Sequence, residues 1–152
     1  MQSGMEPEIS VVVDLVEEAY PGLATLANMQ EWLEHRFEAP VAIVTTQGAG
    51  EVQSSLTSYQ VEADAVIVLQ FPLSEGIYQP LSAEPLRQLL RQKQYSYRGK
   101  TADICIEVDS ATFRIWRDKK DRLEMTFRFT YHVPVPRESG EKLNAFDIQE
   151  AP

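Results

Sequence analysis

The chain has 152 residues, a formal net charge of −9 and one cysteine. That length fits a single domain with a real core, the lone Cys105 excludes an internal disulfide framework, and the acidity disfavours general nucleic-acid binding, which needs phosphate neutralisation. No apolar run reaches bilayer length and no basic-then-apolar leader opens the chain, so the sequence predicts a soluble protein without a cleaved export signal or a membrane partner.

The charge is unevenly spread. Residues 1–38 carry a net −7, residues 39–81 a net −4, residues 82–122 a net +4 and residues 123–152 a net −2. Such a chain can dock negative region to positive region on a copy of itself; the plainer reading is two solvated faces.

In chain order, residues 1–8 read as a frayed arm. Ser10 caps a first helix to about Tyr20, with Val12, Leu15, Val16 and Ala19 at helical spacing. Pro21-Gly22 breaks the chain, and a second helix is expected from about Leu23 to Phe37, with Trp32 off its apolar stripe. Val41–Thr46 is a β-branched run and reads as a strand. Residues 47–58 are small and polar, which suggests a flexible loop, disordered in the isolated subunit, or a long hairpin tip. Tyr59–Phe71 is a long strand and 72–80 a loop. Ser82-Ala83-Glu84-Pro85 opens a helix to about Gln94 that buries Leu86, Leu89 and Leu90, with Gly99 as its stop. Asp103–Val108 is a strand.

The clearest pattern is 112–135. From Leu123 the odd positions Leu123, Met125, Phe127, Phe129, Tyr131, Val133 and Val135 are apolar or aromatic, and the even positions are mostly polar, so one face is buried. Asp118-Lys119-Lys120-Asp121 is the turn of an antiparallel hairpin. Pro134 and Pro136 end the pairing, and about 137–152 reads as a second flexible arm. The composite is a single α+β domain: a mostly antiparallel sheet with helices packed on one face.

Catalytic signals are weak. His35 and His132 have no second ligand at metal spacing, and Cys105 has the acidic neighbours Asp103 and Glu107, which disfavour a thiolate. Asp103, Glu107 and Asp109 share one strand face and are the candidates for a magnesium site or an acid/base pair, the reading of a small metal-dependent enzyme. Gly48-Ala49-Gly50 lacks the lysine and helix of a phosphate loop. Arg87 and Arg91 stand four apart on one helical face, followed by Lys93, Arg98 and Lys100 with Tyr95 and Tyr97 interleaved. That segment reads as a solvated face, a single-strand contact or a docking surface for acidic protein. A third alternative for the whole is an acidic binding protein that mimics nucleic acid or blocks a host factor.

The order strand (YQVEADAVIVLQF), loop, helix (SAEPLRQLLRQ), strand (DICIEV) and polar-turn hairpin (TFRIWRDKKDRLEMTFRFTYHV) resembles the tail terminator and tail-completion proteins of long-tailed bacteriophages. The resemblance covers roughly Tyr59–Val135; the opening helices and VAIVTT fit the first part of that fold, and the long acidic N-terminal region departs from it. It implies a subunit without enzyme activity or cofactor, made in the host cytoplasm and built into the virion at the head-proximal end of the tail. There it forms a ring, usually a hexamer, between the tail tube protein and the head-tail connector, with no sequence-specific nucleic-acid contact. Arg87, Arg91, Lys93, Arg98 and Trp32 are the candidate oligomer-interface residues.

Overall fold

The computed structural model describes residues 6–135. The elements are α1 (Pro7–Ala19), β1 (Ala24–Leu26), α2 (Met29–Leu33), β2 (Val41–Gln53), β3 (Ser58–Gln70), β4 (Leu73–Ser74), β5 (Ile77–Tyr78), α3 (Glu84–Gln92), β6 (Ser96–Arg98), β7 (Cys105–Trp116) and β8 (Arg122–Pro134). Six strands form one sheet in the order β1-β2-β3-β8-β7-β6, and β4-β5 is a separate two-stranded hairpin. Only the β1·β2 pairing is parallel. The fold is therefore α+β with a mostly antiparallel sheet, as the strand patterns predict.

The period-2 reading of β8 places its side chains correctly. Leu123, Met125, Phe127 and Phe129 are buried, and they pack with Ala63, Ala65, Ile67 and Leu69 of β3 and with Leu15, Val16, Leu86 and Leu90 of the helices. A second, smaller cluster joins Val41, Ile43 and Val68, which have the opposite parity, to Leu26, Trp32 and Phe37. Side chains alternate across a strand, so this cluster lies on the other side of the sheet. Trp32 belongs to α2, so the helices do not all share one face.

Four local readings need correction. First, α1 starts at Pro7, not Ser10. Proline at the first turn needs no amide partner, and Glu8 inside the helix accepts hydrogen bonds from Tyr131 Oη (2.7 Å) and Thr46 Oγ1 (3.3 Å). Residues 1–5 and the arm after Val135 lie outside the described residues. Second, the expected helix from Leu23 to Phe37 is a strand followed by five helical residues. Ala24–Leu26 pairs alongside Val41–Ile43, and Asn28 caps the restarted helix by accepting from Glu31 N at 3.1 Å. Asparagine serves a cap better than a helix interior, and sheet pairing overrides the weak propensity before it.

Third, of the two readings of 47–58, the long hairpin tip holds and the flexible loop does not. β2 continues to Gln53 opposite Tyr59, with an irregularity between Gly48 and Gly50. The turn is closed by Ser54 N and Ser55 N donating to Ser58 O, and by contacts among the Ser54, Ser55 and Ser58 hydroxyls. Fourth, α3 ends at Gln92, and the chain turns through Gln94 and Tyr95, both at positive φ, before β6. Gly99 stops nothing. It sits where an added Cβ would meet Ala102 O at 2.4 Å and Val11 Cγ2 at 3.0 Å, so only glycine lets this loop approach α1.

The hairpin of β7 and β8 exists, but its register slips. Asp109 faces Arg128 and Arg114 faces Thr126, which leaves three extra residues on β7. Thr112 Oγ1 accepts from Arg128 N (2.8 Å) and donates to Asp109 O (2.6 Å), which pins the bulge. The bulge delivers Phe113 onto Phe127, and the rings of Phe113, Phe127, Phe129 and Tyr131 follow one another with 6.1 Å between centroids.

Candidate interaction surface

The acids of α1 explain much of the charge asymmetry. Asp14 is buried and its Oδ2 accepts from Lys100 N (2.8 Å), Thr101 N (2.9 Å) and Thr101 Oγ1 (3.0 Å). Glu18 accepts from Tyr97 Oη at 3.0 Å and lies 3.3 Å from Lys100 Nζ and 4.0 Å from Lys93 Nζ. Burial raises the Glu18 carboxyl, but the Tyr97 hydroxyl and the two ammonium groups outweigh it and hold its pKa below the usual range. Much of the attraction between the acidic start and the basic 93–100 segment is therefore spent inside one chain.

The candidate residues separate accordingly. Lys93 is turned toward Glu18, and Arg98 pairs with Asp103 at 2.7 Å. Arg87 and Arg91 make only loose contacts with Glu84, at 3.6 and 3.8 Å; Arg91 is exposed and Arg87 half-buried. Pairs at such distances are weak, so these two guanidinium groups are the least committed within the chain among the basic candidates. Arg87 borders a shallow depression with Tyr95, Phe113 and Arg114, beside the outer edge of β7. Trp32 is on the far side of the sheet and half-buried. The Arg122 guanidinium lies over its ring at 5.4 Å and is held by Asp121 at 3.0 and 3.2 Å. The structure does not bring Trp32 to the basic residues.

The acidic strand face does not assemble into a site. Asp103 precedes β7 and faces Arg98, Glu107 Oε2 accepts from Ser96 Oγ at 2.8 Å, and Asp109 Oδ1 accepts from Ala111 N at 3.1 Å. Among the described residues no three of His, Cys, Asp and Glu gather as a metal would require, and no helix is long and apolar enough to cross a membrane. Cys105 is half-buried with its Sγ 3.5 Å from Ser96 Oγ, and His132 is exposed. His35 stands at φ 59°, its ring 6.0 Å from that of Phe37.

Two features escape a pattern reading. Among the described residues the outer edges of β2 and β7 are open for most of their length: β1 reaches only Val41–Ile43, and β6 only Cys105–Glu107. Gln70 is the other. It is 3% exposed, and its Nε2 is the one buried side-chain nitrogen or oxygen among the described residues without a hydrogen-bond partner. The signal for it was present in AVIVLQF, a lone amide in an apolar strand.

No protein-family profile matches the sequence, and a search of characterised proteins finds no match.

Proposed function

We propose that the protein is a non-enzymatic, ring-forming structural subunit of the tail terminator or tail-completion kind, placed between a tail tube and a head connector in the virion. The observation that carries this reading is the pair of open sheet edges. β2·β3, β3·β8 and β8·β7 are all antiparallel, so β2 and β7 run in opposite directions. The β2 edge of one copy laid against the β7 edge of the next is then antiparallel, and repeating that join is heterologous and can close a ring. Both edges carry irregularities, at Gly48/Gly50 and between Asp109 and Arg114. Bulges discourage indiscriminate pairing and leave a copy of matched curvature as the partner. Charge supports the same join: Arg87 and Arg114 flank the β7 edge, while Glu51 stands exposed on β2. The phage resemblance counts DICIEV and TFRIWR as separate strands, whereas both lie in the single strand β7; the succession β3, α3 and the β7–β8 hairpin is the part of its order that remains. In this reading α1 and α3 form one helical layer over the ring, and a hexamer is the expected size.

The test is oligomer mass by light scattering against salt, with electron micrographs of the purified protein. Wild type forms rings, alone or with a tail-tube partner, that weaken as salt screens the charges. Arg87→Glu with Arg91→Glu folds by circular dichroism but assembles slowly or not at all, whereas either single alanine has little effect. A wild type that stays monomeric at high concentration, with and without a tube partner, overturns the reading. A folded double reversal that assembles normally removes α3 from the interface.

The acidic-mimic alternative is the weaker reading because Glu8, Asp14 and Glu18 are turned inward onto partners of their own chain.

A further inference from the structure

At the end of the sheet farthest from the β2–β3 turn, an open cavity of about 610 Å³ lies between the segment after α2 and the β4–β5 hairpin. Phe37, Phe71, Leu73 and Tyr78 supply its apolar lining, and His35, Gln70 and Asp121 its polar groups. Its volume falls in the range of ordinary ligand sites. Three observations converge on it. Gln70 lines it, and the Nε2 of that buried side chain lacks an acceptor. A buried amide without a partner costs free energy, so a carbonyl brought into the cavity supplies what the fold leaves out. Two of its lining side chains are large, apolar and exposed: Leu73 at 59% and Tyr78 at 40%, both on β4–β5. The charge of the banks is negative. Residues 29–39 and 70–79 contain Glu31, Glu34, Glu38 and Glu75 against Arg36 alone, and Arg36 is already paired with Glu34. Asp121 is matched by the Arg122 guanidinium at 3.0 and 3.2 Å and adds no net charge, which leaves Glu38 as the lining carboxylate without an ion pair among the described residues.

We infer that this cavity is a docking site for an extended segment of another protein. That segment inserts one large apolar side chain between Phe37, Leu73 and Tyr78, offers a backbone carbonyl to Gln70, and carries a lysine or arginine beside the anchor for Glu38 and the neighbouring acids. A neutral carbonyl suits the amide, and a basic flank suits the rim; a carboxylate or phosphate suits neither. The chain's own segment 136–152 has the wrong charge for the rim, with Glu138, Glu141, Asp147 and Glu150 against Arg137 and Lys142. None of the lining residues belongs to β2 or β7, so the proposal stands whether or not the subunit forms a ring.

The experiment is a titration of the full-length protein with three capped tripeptides, followed by two-dimensional NMR of backbone amides and of the glutamine side-chain NH2 groups. The probes are acetyl-Lys-Phe-Lys-amide, acetyl-Glu-Phe-Glu-amide and acetyl-Lys-Ala-Lys-amide. The first shifts the Gln70 NH2 pair and the amides of Phe37, Leu73 and Tyr78 in a saturable way, and the other two bind at least tenfold more weakly. The surface variant Leu73→Ser with Tyr78→Ser, both at exposed positions, keeps the wild-type spectrum elsewhere and loses the response. Gln70→Leu keeps the apolar contact but weakens binding of the first peptide. No shift at Gln70 up to the solubility of the first peptide overturns the proposal, and leaves the orphaned amide to a buried water. Equal binding of all three peptides, or a response that survives the double serine variant, overturns it as well. Ring formation measured on the same samples is the readout of the other reading, and it is unchanged by the serine variant.

Discussion

The molecule contains two long antiparallel hairpins, β2–β3 and β7–β8, and they are held in different ways. The second is packed: its inward face runs Leu123, Met125, Phe127 and Phe129 beneath α1 and α3, and a ladder of aromatic rings continues to Tyr131. The first is packed only at one end. From Gln47 to Gln53 every residue of β2 is exposed, and the turn beyond is a knot of serine hydroxyls with Leu56 at 91% exposure. What keeps that arm a strand is backbone pairing with β3, which is itself flanked by β8 up to Pro134. Hydrogen bonding to one neighbour that is itself held by a third strand is enough for extended structure; a buried face is needed only to write the pattern into the side chains.

The largest expected difference between the two hairpins is in core truncation. Phe127→Ala removes a ring stacked between Phe113 and Phe129 and lowers stability by about 3–5 kcal/mol in chemical denaturation. Val52→Ala on the projecting arm stays within roughly 0.5 kcal/mol of wild type. Equal losses at the two sites would break the contrast.

Next comes the tie that holds α1 against the packed half. Asp14→Ala leaves Lys100 N, Thr101 N and Thr101 Oγ1 without their acceptor, and is expected to cost about 1.5–3 kcal/mol by thermal or chemical melting. A neutral effect would mean that water replaces the carboxylate at no cost.

A pH series sharpens the same comparison. Burial pushes the Tyr20 hydroxyl up to about 12 while it donates to Ser82 O at 2.6 Å. A raised pKa means that the folded state holds the proton more tightly. The contribution is complete below the ordinary tyrosine pKa of about 10 and is lost as pH rises to about 12. Tyr20→Phe flattens that alkaline slope. On the acid side, hydrogen bonds from Arg128 hold the Asp64 carboxyl below its ordinary pKa, as those of Arg122 do for Asp121. Depressed carboxylates stabilise at neutral pH and lose the contribution as pH falls through their folded values. Arg128→Met flattens that acid limb in a denaturant series.

The smallest effect is in exchange. Amides of 47–53 are protected in the isolated subunit, though less than those of 123–129. Complete lack of protection there would restore the disordered loop expected from composition.

Legibility followed burial. The β8 register, the length of β3 and the apolar side of α3 were readable because alternation or helical spacing is imposed wherever one side meets a core. The outer half of β2 was not, because QGAGEVQ buries nothing. Nor was β1, three residues whose strand state depends on Val41–Ile43 lying alongside. The bulge of β7 was hidden because Ser110–Phe113 keep a strand-like composition while their spacing slips. Of the candidate surface, Arg87 and Arg91 were legible from their four-residue spacing. The inward turn of Lys93 was not, since Glu18 is far away in sequence and no local pattern pairs them.

The carboxylates of α1 carry a consequence for synthesis. Asp14 and Glu18 wait for residues 97–101, and Glu8 for Tyr131, a separation of 123 positions. Helix α1 thus leaves the ribosome well before β8, the strand that helps to fasten it, and contacts so distant in sequence form slowly. Until β8 has emerged, a nascent chain carries α1 with its apolar run Val11–Val16 only partly covered and Glu8 without Tyr131. A truncated transcript ending before β8 should therefore yield a protein that chaperones retain rather than a smaller stable domain.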